Sequence, residues 1–139
     1  MEFSLGQSVQ ECLTVDVLGP DSSGESEENL WLEVQVRVSA GSFRGSISTV
    51  MPAADFVDFA PKLRLLRSTL DGAADFSTED EQLYLHLTGN KKGEILLEGS
   101  VGDQSGHGNR LNFTLQFGLA QLNTSICQLD AIVASLADS

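Results

Sequence analysis

The stretch LWLEVQVRV, residues 30–38, decides the fold. Leu30, Leu32, Val34, Val36 and Val38 fall on one side, and Trp31, Glu33, Gln35 and Arg37 on the other. A period of two with one apolar side marks a half-buried strand. SAGS, residues 39–42, supplies a tight turn. FRGSIST, residues 43–49, returns with Phe43 and Ile47 on its apolar side. Upstream, CLTVDVL (12–18) sets Leu13, Val15 and Val17 on one face. Between these strands runs GPDSSGESEE, residues 19–28, turn formers and acid. The spacing predicts an antiparallel set joined by hairpins.

Helical spacing begins after residue 50. Phe56, Phe59, Leu63, Leu66 and Leu70 recur every three or four positions and form one stripe. Pro52 suits a first helical position, and Gly72 suits a C-terminal cap. Pro61 lies inside the stripe, where a kink or a break at Ala60 is expected. Strand patterns then resume. Leu83, Leu85 and Leu87 alternate with Tyr84 and His86; Ile95, Leu97 and Val101 share a face; Leu111, Phe113, Leu115 and Phe117 share another. A last helix carries Leu119, Leu122, Ile126, Leu129, Val133 and Leu136 on one stripe. One apolar side per element predicts an α+β, two-layer fold over residues 1–139 as a single domain. In it, a curved antiparallel sheet of about six to eight strands has two helices packed on one face. No internal repeat is visible in the sequence.

The chain has 139 residues and a net charge of −12, from 20 acidic and 8 basic residues. That balance argues against nucleic acid and anionic membranes as partners, because phosphate contacts need clustered lysine and arginine. It favours solubility and fast encounter with a basic partner. No apolar run approaches membrane-spanning length, and MEFSLGQSV lacks the features of a secretory signal. Cys12 and Cys127 therefore read as reduced thiols of a cytoplasmic protein, with Cys127 buried in the last helix.

Groups for catalysis are scarce. The histidines are His86, mid-strand, and His107, in a glycine-rich loop with Asp103. Two such ligands fall short of a metal site. No G-x-S-x-G elbow is present, and neither cysteine has a neighbouring base. Asp55 and Asp58 share a helix face near its start, a place where acids complement the helix dipole. The expectation is a protein without catalytic residues, metal or cofactor.

The acids are unevenly spread. Residues 16–33 hold six acids and no base, and residues 71–81 hold five acids and no base. Trp31 and Tyr84, residue types enriched at interfaces, fall on the polar sides of their strands. The candidate partner-binding set is Asp21, Glu25, Glu27, Glu28, Trp31, Glu33, Asp75, Glu79, Asp80, Glu81 and Tyr84. Bland solubility accounts equally for the first acidic loop, and Trp31 packed under that loop remains open.

The order of these segments resembles the WapI-type immunity protein family. The similarity rests on WLEVQVRVSAGSFRGSIST, DFVDFAPKLRLLRSTLDGAADF, LYLHLTG, KGEILLEGSV, GNRLNFTLQF and CQLDAIVASL, from about Leu30 to Leu136. Asp55-Phe56, Gly72 and Gly108-Asn109-Arg110-Leu111 carry it most closely. Pro61 and the Phe117-Gly118-Leu119-Ala120 segment depart from the family pattern. The resemblance implies a non-enzymatic protein that binds and neutralises a cognate bacterial toxin, of basic nuclease type. The competing reading is a general interaction module, monomeric or homodimeric, whose partner the residues do not name.

Overall fold

The computed structural model describes residues 1–20, 30–104 and 108–137. It is α+β, with eight antiparallel strands and two helices. The strands divide into two four-stranded sheets, each a meander in chain order. The first holds β1 (Glu2–Ser8), β2 (Glu11–Pro20), β3 (Trp31–Ala40) and β4 (Phe43–Pro52). The second holds β5 (Ala73–Ser77), β6 (Leu83–Gly89), β7 (Glu94–Gly102) and β8 (Arg110–Gly118). Helix α1 (Ala53–Thr69) follows the first sheet and α2 (Leu119–Ala137) follows the second.

The deciding hairpin is β3–β4. Ala40 pairs with Phe43 across a two-residue loop, and Gly41 takes φ +64° there. The alternation holds along β3: Leu32, Val34, Val36 and Val38 are buried, and Glu33 and Arg37 are exposed. Phe43 departs from expectation, being 68% exposed. The next inward position, Gly45, already faces Leu111 and Val101 at the ends of β8 and β7, so Phe43 overshoots the facing layer. β1 comes from a stretch whose pattern is too short to read. Only Phe3 and Leu5 alternate, yet both are fully buried.

One hydrophobic cluster joins the inner sides of both sheets and both helices. The helices are exchanged between the halves, α1 lying along β5 and α2 along β1. Both strands are sheet edges, and an uncovered edge invites unwanted pairing. On β1, Ser4 N–H donates to Gln128 Oε1 at 2.9 Å, and Ser125 Oγ donates to the Ser4 carbonyl. On β5, Lys62 Nζ donates to the Asp75 carbonyl at 3.3 Å. Ser4 and Asp75 are equivalent: each is the third residue of its first strand, paired with Thr14 and His86 respectively. The helices meet antiparallel, with Arg64 on Asp130 at 2.6 Å and Arg67 on Asn123 at 3.3 Å. The layout of four strands and a helix thus occurs twice, each helix lying along the first strand of the other half. The sequence hides this because the equivalent side chains differ.

α1 runs unbroken through Pro61. A proline leaves the carbonyl four residues earlier without its helical donor. Here that residue is Val57, and both Val57 and Pro61 are exposed, so this stretch of the helix faces solvent rather than the core. Pro52 is the N-cap, in extended conformation, rather than the first helical residue. The C-cap is Leu70 at φ 65°, not Gly72. A left-handed leucine costs roughly 1–2 kcal/mol. Gly89 accommodates it, since a Cβ there would lie 2.4 Å from the Leu70 carbonyl oxygen. In α2 the buried stripe runs Leu122, Ser125, Ile126, Leu129 and Ile132. Cys127 is therefore exposed, contrary to expectation, because Ser125 and Gln128 take the places facing β1.

Candidate functional site

The turn between β5 and β6, residues 78–82, is built around Asp80. Its carboxylate accepts from Thr78 Oγ1 at 2.6 Å, Thr49 Oγ1 at 2.7 Å and Gln82 N–H at 3.1 Å. Thr49 belongs to β4, so the turn of one sheet is tied to the last strand of the other. Partial burial opposes ionisation of Asp80. The Thr78, Thr49 and Gln82 donors outweigh it and hold the carboxyl below its usual range. Glu81 sits at φ 62°, and its carbonyl accepts from Arg110, whose guanidinium also donates to Ser100 Oγ. Exposed Glu79 and Glu81 therefore stand on a fixed scaffold.

Two depressions flank this turn. One, of about 690 Å³, brings Glu79 and Glu81 together with Tyr84 and Arg110. The other, of about 440 Å³, brings Asp80 together with Glu33, Leu18 and Val50. Leu18 is 59% exposed and Val50 38% exposed. Five of the residues expected at a partner surface thus collect at one place: Glu33, Glu79, Asp80, Glu81 and Tyr84. Asp75 lies apart, exposed on β5, with its carboxylate on His86 Nδ1. Trp31 is half-buried on β3 opposite Pro52, and Tyr84 stands on β6 of the other sheet, so the two aromatics share no single sheet face. Asp21, Glu25, Glu27 and Glu28 lie outside the described residues.

Sequence reasoning missed Thr49 and Gln82 and saw Arg110 only as a position of the family resemblance. All three act through partners distant in the chain, and only the Thr78-x-Asp80-x-Gln82 spacing hinted at a side-chain-capped turn. It also read Asp55 as a simple dipole partner. Asp55 does lie in the first turn of α1, but its Oδ2 is buried without a hydrogen-bond partner. Burial, then Glu79, then Asp58 push its carboxyl above the usual range. The ionised form is thus penalised in the fold above its folded pKa, and the penalty disappears as pH falls through that value. Asp55→Asn is expected to raise the thermal midpoint at pH 7, with the gain fading as pH falls towards 4. Melting curves across that range check it; a gain independent of pH would mean that charge is not its cause.

The described residues contain no grouping of three or more histidine, cysteine or acidic side chains able to hold a metal. Asp103 accepts from Asn109 N–H at 2.8 Å and Asn109 Nδ2 at 3.2 Å, closing the base of its loop, and His107 lies outside the described residues. Among the described residues, no helix is long and apolar enough to cross a membrane. What the site offers is an acidic rim on a hydrogen-bonded turn, with apolar Leu18 and Val50 in one of the two depressions, an arrangement that can bind cationic groups. The model of the immunity protein WapI-like family matches residues 4–137, nearly the whole chain. No curated protein matches it.

Proposed function

Because the chain belongs to the WapI-like immunity protein family, we propose that it binds a cognate bacterial toxin domain in the cytoplasm and neutralises it without catalysis. Family membership is the observation that carries this reading. The charge of −12 supports a basic toxin of nuclease type, whose phosphate-binding cleft an acidic surface can occupy. The acid rim around Asp80 is the described surface best suited to that contact. Self-association through a shared Trp31 and Tyr84 patch is disfavoured by their placement on separate sheets.

Co-expression with the toxin domain encoded beside the chain tests the reading. Cells survive and the two proteins co-elute on a sizing column if it holds; persistent toxicity with no complex overturns it. Charge steering also predicts a kinetic signature. Neutralising Glu25, Glu27 and Glu28 together is expected to lower the association rate several-fold at low salt, with little change in dissociation. Stopped-flow association at two ionic strengths measures this. An unchanged on-rate places the encounter surface elsewhere.

A further inference from the structure

Each sheet edge has outward-pointing backbone groups, and on three of the four edges at least one of them meets a helix side chain among the described residues. Helix α2 satisfies Ser4 on β1, and Lys62 of α1 reaches Asp75 on β5. On β8, Gly118 N–H donates to Gln121 Oε1 at 3.0 Å, and β1 lies nearby. β4 is set apart by having no helix side chain on its outward groups among the described residues. Its pairing with β3 is uninterrupted from Ala40–Phe43 to Trp31–Pro52, as are the β5–β6 and β7–β8 pairings, whereas bulges interrupt β1–β2 and β2–β3.

The register fixes which groups of β4 point outward. Ala53 N–H donates to the Leu30 carbonyl, so the odd-numbered residues of β4 bond to β3. The N–H and C=O groups of Arg44, Ser46, Ser48 and Val50 therefore face away from the sheet. Among the described residues, the Thr49 hydroxyl comes within 3.4 Å of the Val50 carbonyl, but its proton goes to Asp80 at 2.7 Å. No lysine occurs along β4, and its proline stands at its last position. Among the described residues, no lysine, internal proline or bulge guards this edge, and the 78–82 turn reaches it at Thr49.

This open edge borders the depression that holds Leu18, Glu33, Val50 and Asp80. Glu33 pairs with Val50 across the β3–β4 ladder, and Asp80 is tied to Thr49 from the other side. A chain laid along Ser46–Val50 would direct alternate side chains towards this place. An aliphatic stem would cover Leu18 and Val50, and a cationic head would lie between two carboxylates. That is the chemistry of arginine or lysine. Two copies of this chain, each carrying −12, repel one another and make poor mutual partners.

We infer that β4 is a docking edge at which an extended, basic segment of the toxin adds as a fifth strand, seating an arginine or lysine between Glu33 and Asp80. This rests on the immunity reading and specifies its interface. The complex of full-length chain with the purified toxin domain encoded beside it provides the test. Amide hydrogen exchange on the wild-type pair is expected to show protection at Arg44, Ser46, Ser48 and Val50 that the free protein lacks. Ser48→Pro removes an outward N–H while leaving the β3 ladder whole, so the fold persists. It is expected to weaken toxin affinity by about tenfold or more.

The outcomes separate cleanly. Toxin binding by the wild type without new protection along β4, and with full affinity in a folded Ser48→Pro, overturns the docking edge and leaves the immunity reading standing. No binding by the wild type overturns both. A wild type that sediments as a dimer, and that Ser48→Pro separates, assigns the edge to a second copy and overturns the inference. Should Ser48→Pro fail to fold, the exchange pattern of the wild type decides.

Discussion

Truncating Phe59 to alanine is expected to remove about 3–5 kcal/mol of stability. Phe59 is 1% exposed, with its ring 5.0 Å from Phe76 and 6.3 Å from Phe3. Phe3 lies on β1 of the first sheet, Phe76 on β5 of the second, and Phe59 on α1 between them. Phe56 completes the group, edge-on to Phe3 at 6.3 Å. Removing the ring leaves a void bordered by β1, α1 and β5, none of which can close it alone. Such a loss is a large part of the roughly 5–15 kcal/mol that holds a typical domain. At this chain length it lowers the thermal midpoint by about 10–15 °C. Val57→Ala, on the exposed side of the same helix, is expected to change stability by less than about 0.5 kcal/mol. Denaturant titration of both variants measures the contrast. A Phe59→Ala loss below about 1 kcal/mol would show that the aromatic group does not join the halves.

Apart from β1, most elements were legible because they carry a clean period. β3, β6 and β8 alternate throughout, and the stripes of α1 and α2 recur at three and four. The split into two sheets was not legible, since a strand's pattern records which side is buried and not which strand lies beside it. The exchanged helices were hidden for the same reason. Ser125, buried at 1% exposure, looks like a defect in an apolar stripe until the Ser4 carbonyl is placed against it. Pro61 looked disruptive because sequence alone does not say which way Val57 faces. At the site, charge clusters located Glu79, Asp80 and Glu81, but their difference in role depends on Thr49, thirty-one positions from Asp80. Asp80 is a structural anion, whereas its neighbours are exposed charges. Which strand edge stays open is also invisible in a sequence, because all four edge strands carry outward groups and only packing reveals which are covered.

Replacing Asp80 with alanine is expected to cost about 2–4 kcal/mol at pH 7. Three donors lose their acceptor, including the buried Thr78 hydroxyl and the Gln82 N–H. The tie between β4 and the β5–β6 turn is cut, and Glu33 loses the carboxylate that faces it across the depression. The cost depends on pH with a definite sign. The folded pKa of Asp80 is lowered, so its contribution is complete above the unfolded value near 3.8 and is lost as pH falls through the folded one. The gap between wild type and Asp80→Ala should therefore narrow below about pH 4. Asp55 runs the other way, its penalty being relieved in acid, so Asp55→Asn and Asp80→Ala should converge on the wild type from opposite sides. Thr49→Val separates the bridge from the turn, since it removes one donor and leaves those of Thr78 and Gln82. A double-mutant cycle between positions 49 and 80 is expected to show coupling of about 1–2 kcal/mol at pH 7 that fades as pH falls through the lowered folded pKa of Asp80. Coupling that persists unchanged in acid would mean that Thr49 holds the turn through packing, and that the charge of Asp80 is free to serve the partner alone.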